Sequence, residues 1–158
     1  MFALPRHGRN DAADEGGFTL IELLVVVVIL GILIAIAIPL YVNYQRGAAD
    51  KGTQSDLRAA ISVLEQCNTD NSSYPTAAVT FTASASAAGT CTGQTINLST
   101  GTTLKYFPDA TAANYLLLGY NTKGNTSTSN YYCYTSAKAG AITVDTHTIP
   151  TAYAAVCP

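Results

Sequence analysis

The sequence predicts an α+β protein. A long N-terminal helix, apolar in its first half and amphipathic in its second, packs on a C-terminal antiparallel β-sheet head with two disulfides. Three observations predict it. An uncharged run, LLVVVVILGILIAIAIPLYV, fills Leu23 to Val42. A helix-period pattern of apolar and small residues then continues to Cys67. Beyond it, short β-prone runs alternate with Gly and Asn turn signals to the end of the chain.

The 158 residues suffice for one modest domain and a long extension. Apolar residues make up 48% and charged residues only 11%, the latter about half the usual share. The deficit is uneven. Residues 1–17 hold five charges, 18–44 hold only Glu22, 45–66 hold six and 67–158 hold six more. A net charge of −2 gives no basic field for bulk nucleic-acid binding.

Residues 1–17 are polar, end on Gly16 and Gly17, and show no apolar periodicity, so they read as a leader. In a secretory signal the cut follows the apolar stretch. Here the apolar stretch follows the leader, so a cut that removes the leader leaves the hydrophobic segment attached.

Residues 18–44 form the second zone. About 20 residues at ~1.5 Å each match a hydrocarbon core ~30 Å thick, which predicts a membrane-spanning helix. A buried core helix would need apolar surroundings on every side, and the remaining chain is too small to wrap it. Residues 45–67 continue the helix with a different face. Ala49, Thr53, Leu57, Ala60, Ile61 and Leu64 recur at helical spacing, while Arg46, Asp50, Lys51, Asp56, Arg58 and Glu65 fall mainly elsewhere on the wheel.

Residues 68–158 read as the head. Strands are predicted at Asn114 to Tyr120, Asn130 to Thr135, Ala141 to Thr146 and Ala152 to Cys157, with NTKGNTSTSN and AKAGA as connections. An antiparallel meander with a polar, nearly uncharged outer face is the economical arrangement. The eight tyrosines from Tyr74 onward are explained by core and hairpin packing.

Glu22 is the sharpest single feature. A charge at the bilayer centre costs about 2.5 to 3.5 kcal/mol on insertion scales, less near the interface, so an intramembrane carboxylate calls for a function and a cationic partner. If the chain is cut after Gly17, the new amine of Phe18 lies four residues before Glu22, about one helical turn away. The competing account is a Glu in the first turn stabilised by the helix dipole.

The string Gly17-Phe18-Thr19-Leu20-Ile21-Glu22-Leu23-Leu24 resembles the class III signal and N-methylation site of type IV pilins and of the related pseudopilins of type II secretion. The close resemblance covers Gly17 to Cys67. It implies a pilin-like fold, cleavage after Gly17 by a membrane-embedded prepilin peptidase, and methylation of the Phe18 amine. It implies pairing of Glu22 with the Phe18 amine of an adjacent subunit during assembly. Gly31 and Pro39 resemble the family's helix-softening positions, in keeping with the low helix propensity of Gly and the missing N–H of Pro. The partners implied are further copies of the chain in a helical filament, an inner-membrane assembly platform and minor pilins, with the inner membrane as the residence before assembly and an extracellular pilus after it. The leader departs from the short basic leader of type IVa pilins in its length and its lack of basic excess.

Cys67, Cys91, Cys133 and Cys157 permit three pairings. Cys67 with Cys91 and Cys133 with Cys157 is the favoured one, each pair being 24 residues apart. The family's disulfide-closed C-terminal loop supports the second pair more than the first. No CxxC is present, and His7 and His147 are isolated, so no metal site is expected. Asp145 and His147 stand two apart on a predicted strand without a nucleophile, which reads as a solvated pair and gives no enzyme signal. No cofactor and no specific nucleic-acid partner are expected.

The resemblance thus implies a structural subunit. The first reading is the major pilin of a type IV pilus serving adhesion, twitching motility or DNA uptake. The alternative is a minor pilin or pseudopilin of a type IV pilus, competence or type II secretion system. The lack of an acidic cluster resembling a calcium loop in the C-terminal half counts against the major pseudopilin of type II secretion, whose family typically binds calcium there.

Overall fold

The computed structural model describes residues 17–82, 85–86, 91, 93–138, 140–153 and 157. Residues 1–16, which make up nearly all of the expected leader, lie outside them. The elements run α1 (Leu20–Asn71), β1 (Val79–Phe81), β2 (Ala85–Ser86), β3 (Thr95–Ile96), β4 (Thr102–Pro108), β5 (Tyr115–Asn121), β6 (Tyr131–Thr135), a short 3-10 turn (Ser136–Lys138) and β7 (Thr143–Asp145). The chain divides into two compact units at Pro39 and Leu40.

In the unit ending at Pro39, α1 has an apolar surface on all sides. Every described residue from Gly17 through Pro39 is exposed. By length and composition α1 is able to cross a membrane. Gly31 and Pro39 both lie inside the helix.

In the unit from Leu40 onward, the second half of α1 packs on a five-stranded antiparallel sheet of order β1-β4-β5-β6-β7, with β2 and β3 as a separate ribbon. The register sets Lys105 opposite Leu118, Leu118 opposite Cys133 and Cys133 opposite Thr143. Alternation along the strands sorts their side chains into two layers. Tyr106, Tyr115, Leu117 and Tyr132 join Leu57, Ala60, Leu64 and Cys67 of α1 in one core. Phe107, Leu116, Leu118, Tyr131 and Cys133 form a second core on the opposite face. Gly119 lets helix and sheet approach closely: a Cβ there would lie 2.8 Å from Leu104 Cδ2 and 3.1 Å from Thr53 Cγ2.

Several expectations need correcting. The outer face of the sheet is not a polar surface, because Ile149, Tyr153 and Cys157 of the C-terminal segment pack over it. Ala152 to Cys157 is not a strand where it is described. Residues 151–153 are bend and turn, and 154–156 lie outside the described residues. Tyr153 and Cys157 are held by packing and a cystine instead of a ladder. The longest strand missed from the sequence is β4, along with β1 and the β2–β3 ribbon. The helix runs four residues past Cys67, where the Asn71 side-chain amide donates to the Cys67 carbonyl at 3.0 Å and Ser72 turns the chain with φ 56°.

The two disulfides join Cys67 to Cys91 and Cys133 to Cys157, with Cα separations of 5.2 and 5.7 Å. The first ties the end of α1 to the segment between β2 and β3. The second fastens the C-terminal segment to the middle of β6, not one strand to another. In the chain-entropy account each loop of this size contributes about 3 kcal/mol.

Candidate assembly site at the helix N-terminus

Thr19 and Glu22 close a reciprocal cap on α1. The Thr19 backbone N–H and its hydroxyl both donate to Glu22 Oε2 at 3.0 Å, and the Glu22 N–H donates to Thr19 Oγ1 at 3.3 Å. This is the T-x-x-E capping box, in which two otherwise orphaned donors of the first turn are satisfied by side chains. Its signal was in the sequence at Thr19 and Glu22. It is a further role for Glu22 beside the helix dipole and the Phe18 amine.

The cap uses one oxygen of Glu22 and leaves the carboxylate exposed at the head of an apolar helix. Phe18, Ile21, Leu23, Val25 and Val26 surround it in a notch of about 390 Å³. Phe18 is 80% and Leu20 88% exposed. Among the described residues Glu22 has no cationic partner. A Cβ at Gly17 or at Gly31 would meet nothing within 4 Å, so neither is required by packing within the chain. The structure thus brings Gly17, Phe18, Thr19 and Glu22 together at one end of α1, while Gly31 and Pro39 lie farther along it.

The head organises its carboxylates differently, and the sequence reading missed this. Asp50 and Asp56 were expected mainly off the packed face, yet each is only 8% exposed. Asp50 accepts from Asn125 and Thr126, and Asp56 accepts from the Ser99 N–H and hydroxyl at 2.8 and 2.9 Å. Glu65 accepts from the Tyr74 and Tyr115 hydroxyls, both at 2.8 Å. Burial and the Glu65 bond push the Tyr74 hydroxyl up to about 12 and raise Tyr115 further. Both phenols therefore stay protonated and serve as donors.

Asp145 and His147 are not the solvated strand pair expected. Asp145 ends β7 with 5% exposure, whereas His147 lies beyond the strand with its side chain 81% exposed. Asp145 accepts from Tyr131 at 3.2 Å and from the His147 N–H at 2.9 Å, and it contacts His147 Nδ1 at 2.6 Å. Burial pushes its carboxyl upward, but the bonds from His147 and Tyr131 outweigh burial and hold it below the ordinary value.

A group lowered in the folded state stabilises the fold above its ordinary value, about pH 4 for Asp, and loses that contribution as pH falls through the folded value. Asp145→Asn is therefore expected to flatten the acid limb of stability. Urea midpoints at about pH 6 and about pH 3 measure this. An unchanged difference between the two midpoints would remove Asp145 from the acid response.

Comparison with known proteins finds a family match at the same end of the chain. Residues 13–38 match the family described as the prokaryotic N-terminal methylation motif. The type II secretion system core protein G of Pseudomonas aeruginosa is 40% identical over 62 residues, covering 39% of this chain and 44% of that protein. The core protein G of Dickeya chrysanthemi is 42% identical over 62 residues, covering 39% and 40%. That of Vibrio cholerae is 42% identical over 62 residues, covering 39% and 42%. The chain spans less than half the length of these relatives.

Proposed function

Because the chain belongs to the type IV pilin and pseudopilin superfamily, whose N-terminal methylation motif it carries on a pilin-like α+β fold, we propose that it is a filament-forming pseudopilin of a type II secretion system. In this reading a prepilin peptidase removes 1–17 and the Phe18 amine is methylated. Residues 18–44 span the inner membrane until an assembly platform moves the subunit into a filament. The amphipathic segment 45–67 then carries the head, 68–158, on the outside.

The observation that carries the proposal is the apolar surface of residues 18–39, exposed on all sides and headed by one carboxylate. Its sixteen large apolar side chains, at roughly 1.5 kcal/mol each, would gain about 20 kcal/mol or more on leaving water. Lipid already shelters them, so helix-to-helix packing gains far less against the bilayer. Bulk hydrophobicity therefore holds the subunit in either place, and Glu22 selects the register. The Phe18 amine of the adjacent subunit is its partner, and Gly31 and Pro39 are where the helix yields on packing.

Likeness to the core proteins G supports the secretion reading. The head supports the second reading, a pilin of a surface pilus, because it carries two cystines and the likeness to those relatives covers only 39% of the chain. Removal of the gene product, scored for secreted enzymes and surface filaments together, separates the two. The secretion role predicts that secreted proteins accumulate inside the envelope while surface filaments persist. Loss of surface filaments with intact secretion would assign the chain to a pilus instead.

A further inference from the structure

Three tripeptides of the form N-x-S/T stand in the chain: Asn71-Ser72-Ser73, Asn97-Leu98-Ser99 and Asn125-Thr126-Ser127. That pattern is an acceptor for an N-linked sugar on the surface of an exported protein. The atom that is joined is the asparagine amide nitrogen. By sequence the three are equivalent, and all three asparagines are exposed. The fold separates them by what it does with that nitrogen.

An amide nitrogen is a poor nucleophile because its lone pair is delocalised into the carbonyl. To attack, it must turn out of the amide plane, which breaks any hydrogen bond its N–H makes in that plane. The Asn71 amide donates to the Cys67 carbonyl at 3.0 Å, and its nitrogen lies 3.8 Å from Cys67 Sγ. The Asn125 amide donates to the buried Asp50 carboxylate at 2.9 Å, a charge-assisted bond and so one of the stronger kind. There is little room beside it, since any side chain at Gly124 would overlap the same carboxylate. The Asn97 side chain makes no hydrogen bond among the described residues.

The flanking residues keep Asn97 outside. Ile96 is buried and Leu98 packs against the same core, so the alternation of an extended chain leaves Asn97, between them, on the outer side. Ser99 anchors the segment to α1, its N–H and hydroxyl donating to Asp56 at 2.8 and 2.9 Å. Ser99 is itself exposed, and a hydroxyl that has given its one donor keeps its acceptor lone pairs. The acceptor pattern therefore stays readable on the folded head, and a bulky group on Asn97 displaces none of these contacts.

The composition of the head gives a sugar something to do. Residues 67–158 carry six charges, about a quarter of the usual share. A surface so poor in charge depends on neutral polar groups for its hydration, and a glycan adds such groups without adding charge.

We propose that Asn97 is a glycosylation site, modified by a glycosyltransferase that uses a glycosyl diphosphate carried on a lipid or on a nucleotide. The Asn97 amide nitrogen attacks the anomeric carbon of the sugar. The nitrogen–carbon bond forms as the bond from that carbon to the diphosphate oxygen breaks. The diphosphate leaves with the electron pair, and the nitrogen gives one proton to a base of the transferase. The site goes beyond the filament reading and is compatible with either kind of filament.

The test is the intact mass of the chain isolated from its own cells, with electron-transfer fragmentation to locate any added group. The expected result is a mass above that of the polypeptide by whole sugar residues, located on Asn97, with Asn71 and Asn125 bare. N97Q is expected to lose the whole increment and to keep its tyrosine near-ultraviolet dichroism, whereas N71Q keeps the increment. Blocking the synthesis of lipid-linked sugars separates the donors: loss of the increment assigns the lipid carrier and persistence the nucleotide, and either result supports the site. Bare Asn97 in the native chain would overturn the proposal, and so would an increment that N97Q retains in full. The same fragments read the N-terminus, so a chain that starts at Phe18 with Asn97 bare would overturn this proposal and leave the prepilin reading standing.

Discussion

Glu22→Ala is expected to leave membrane insertion intact and to reduce the chain recovered in filaments by about 100-fold or more. Insertion becomes easier because a charge is removed from the apolar segment. Assembly suffers because the adjacent Phe18 amine is left buried without a counter-charge, and breaking a buried pair costs about 3 to 5 kcal/mol. Each 1.4 kcal/mol is about a factor of ten in an association constant. Glu22→Gln separates this from the cap. Glutamine still accepts from Thr19 and supports the capping box, but it carries no charge. It is therefore expected to assemble as poorly as the alanine variant. Membrane fractionation and filament yield, measured on the same cells, report the two effects separately. Normal filaments from Glu22→Gln would mean that the cap at Thr19, and not charge pairing, is what assembly requires.

Asp50→Ala is expected to destabilise the head by about 3 to 5 kcal/mol, because several charge-assisted bonds of about 1.5 to 3 kcal/mol each are lost together and do not add fully. The Asn125 N–H is 3.0 Å from both carboxylate oxygens, the Asn125 side-chain amide 2.9 Å from one, and the Thr126 hydroxyl 3.0 Å from the other. Removing the acceptor strands two backbone N–H groups and a hydroxyl at once. Gly124 belongs to the same arrangement, since any side chain there would overlap the Asp50 carboxylate. Urea unfolding of the detergent-solubilised chain, followed by tyrosine near-ultraviolet dichroism, gives the stability change. A loss below about 1 kcal/mol, the size of one ordinary hydrogen bond, would show that the loop is held by other contacts.

The contrast between these two residues explains how much of the molecule was legible in its sequence. Glu22 stands alone in an uncharged run, and its capping partner Thr19 is three residues away, so local spacing carries the signal. The Asp50 bonds join residues 75 and 76 apart, and those of Asp56 span 43. No local periodicity encodes such distances, and a helical wheel places both aspartates on the wrong side. The same distinction holds for the strands. β5, with YLLLGYN, is buried along most of its length and stands out. β4, with TTLKYFP, carries Thr103 and Lys105 at half-buried positions and passes for a polar loop. Ala152 to Cys157 has β-prone residues, but those of them that are described pair with no strand. Among its described residues Tyr153 and Cys157 pack on the outer face of the sheet, Cys157 through a cystine, where composition suggested a ladder. The net charge was readable as a sum. Which carboxylates are engaged by the loops was not, because that depends on where the fold places the loop amides.

The central claim is that this chain is a prepilin whose mature form starts at Phe18 and enters a filament through that end. Intact mass and N-terminal analysis of the chain recovered from purified filaments test it most directly. The account predicts a chain that starts at Phe18, with its amine methylated and both disulfides closed. A filament subunit that starts at Met1, or filaments from which this chain is absent, would contradict it.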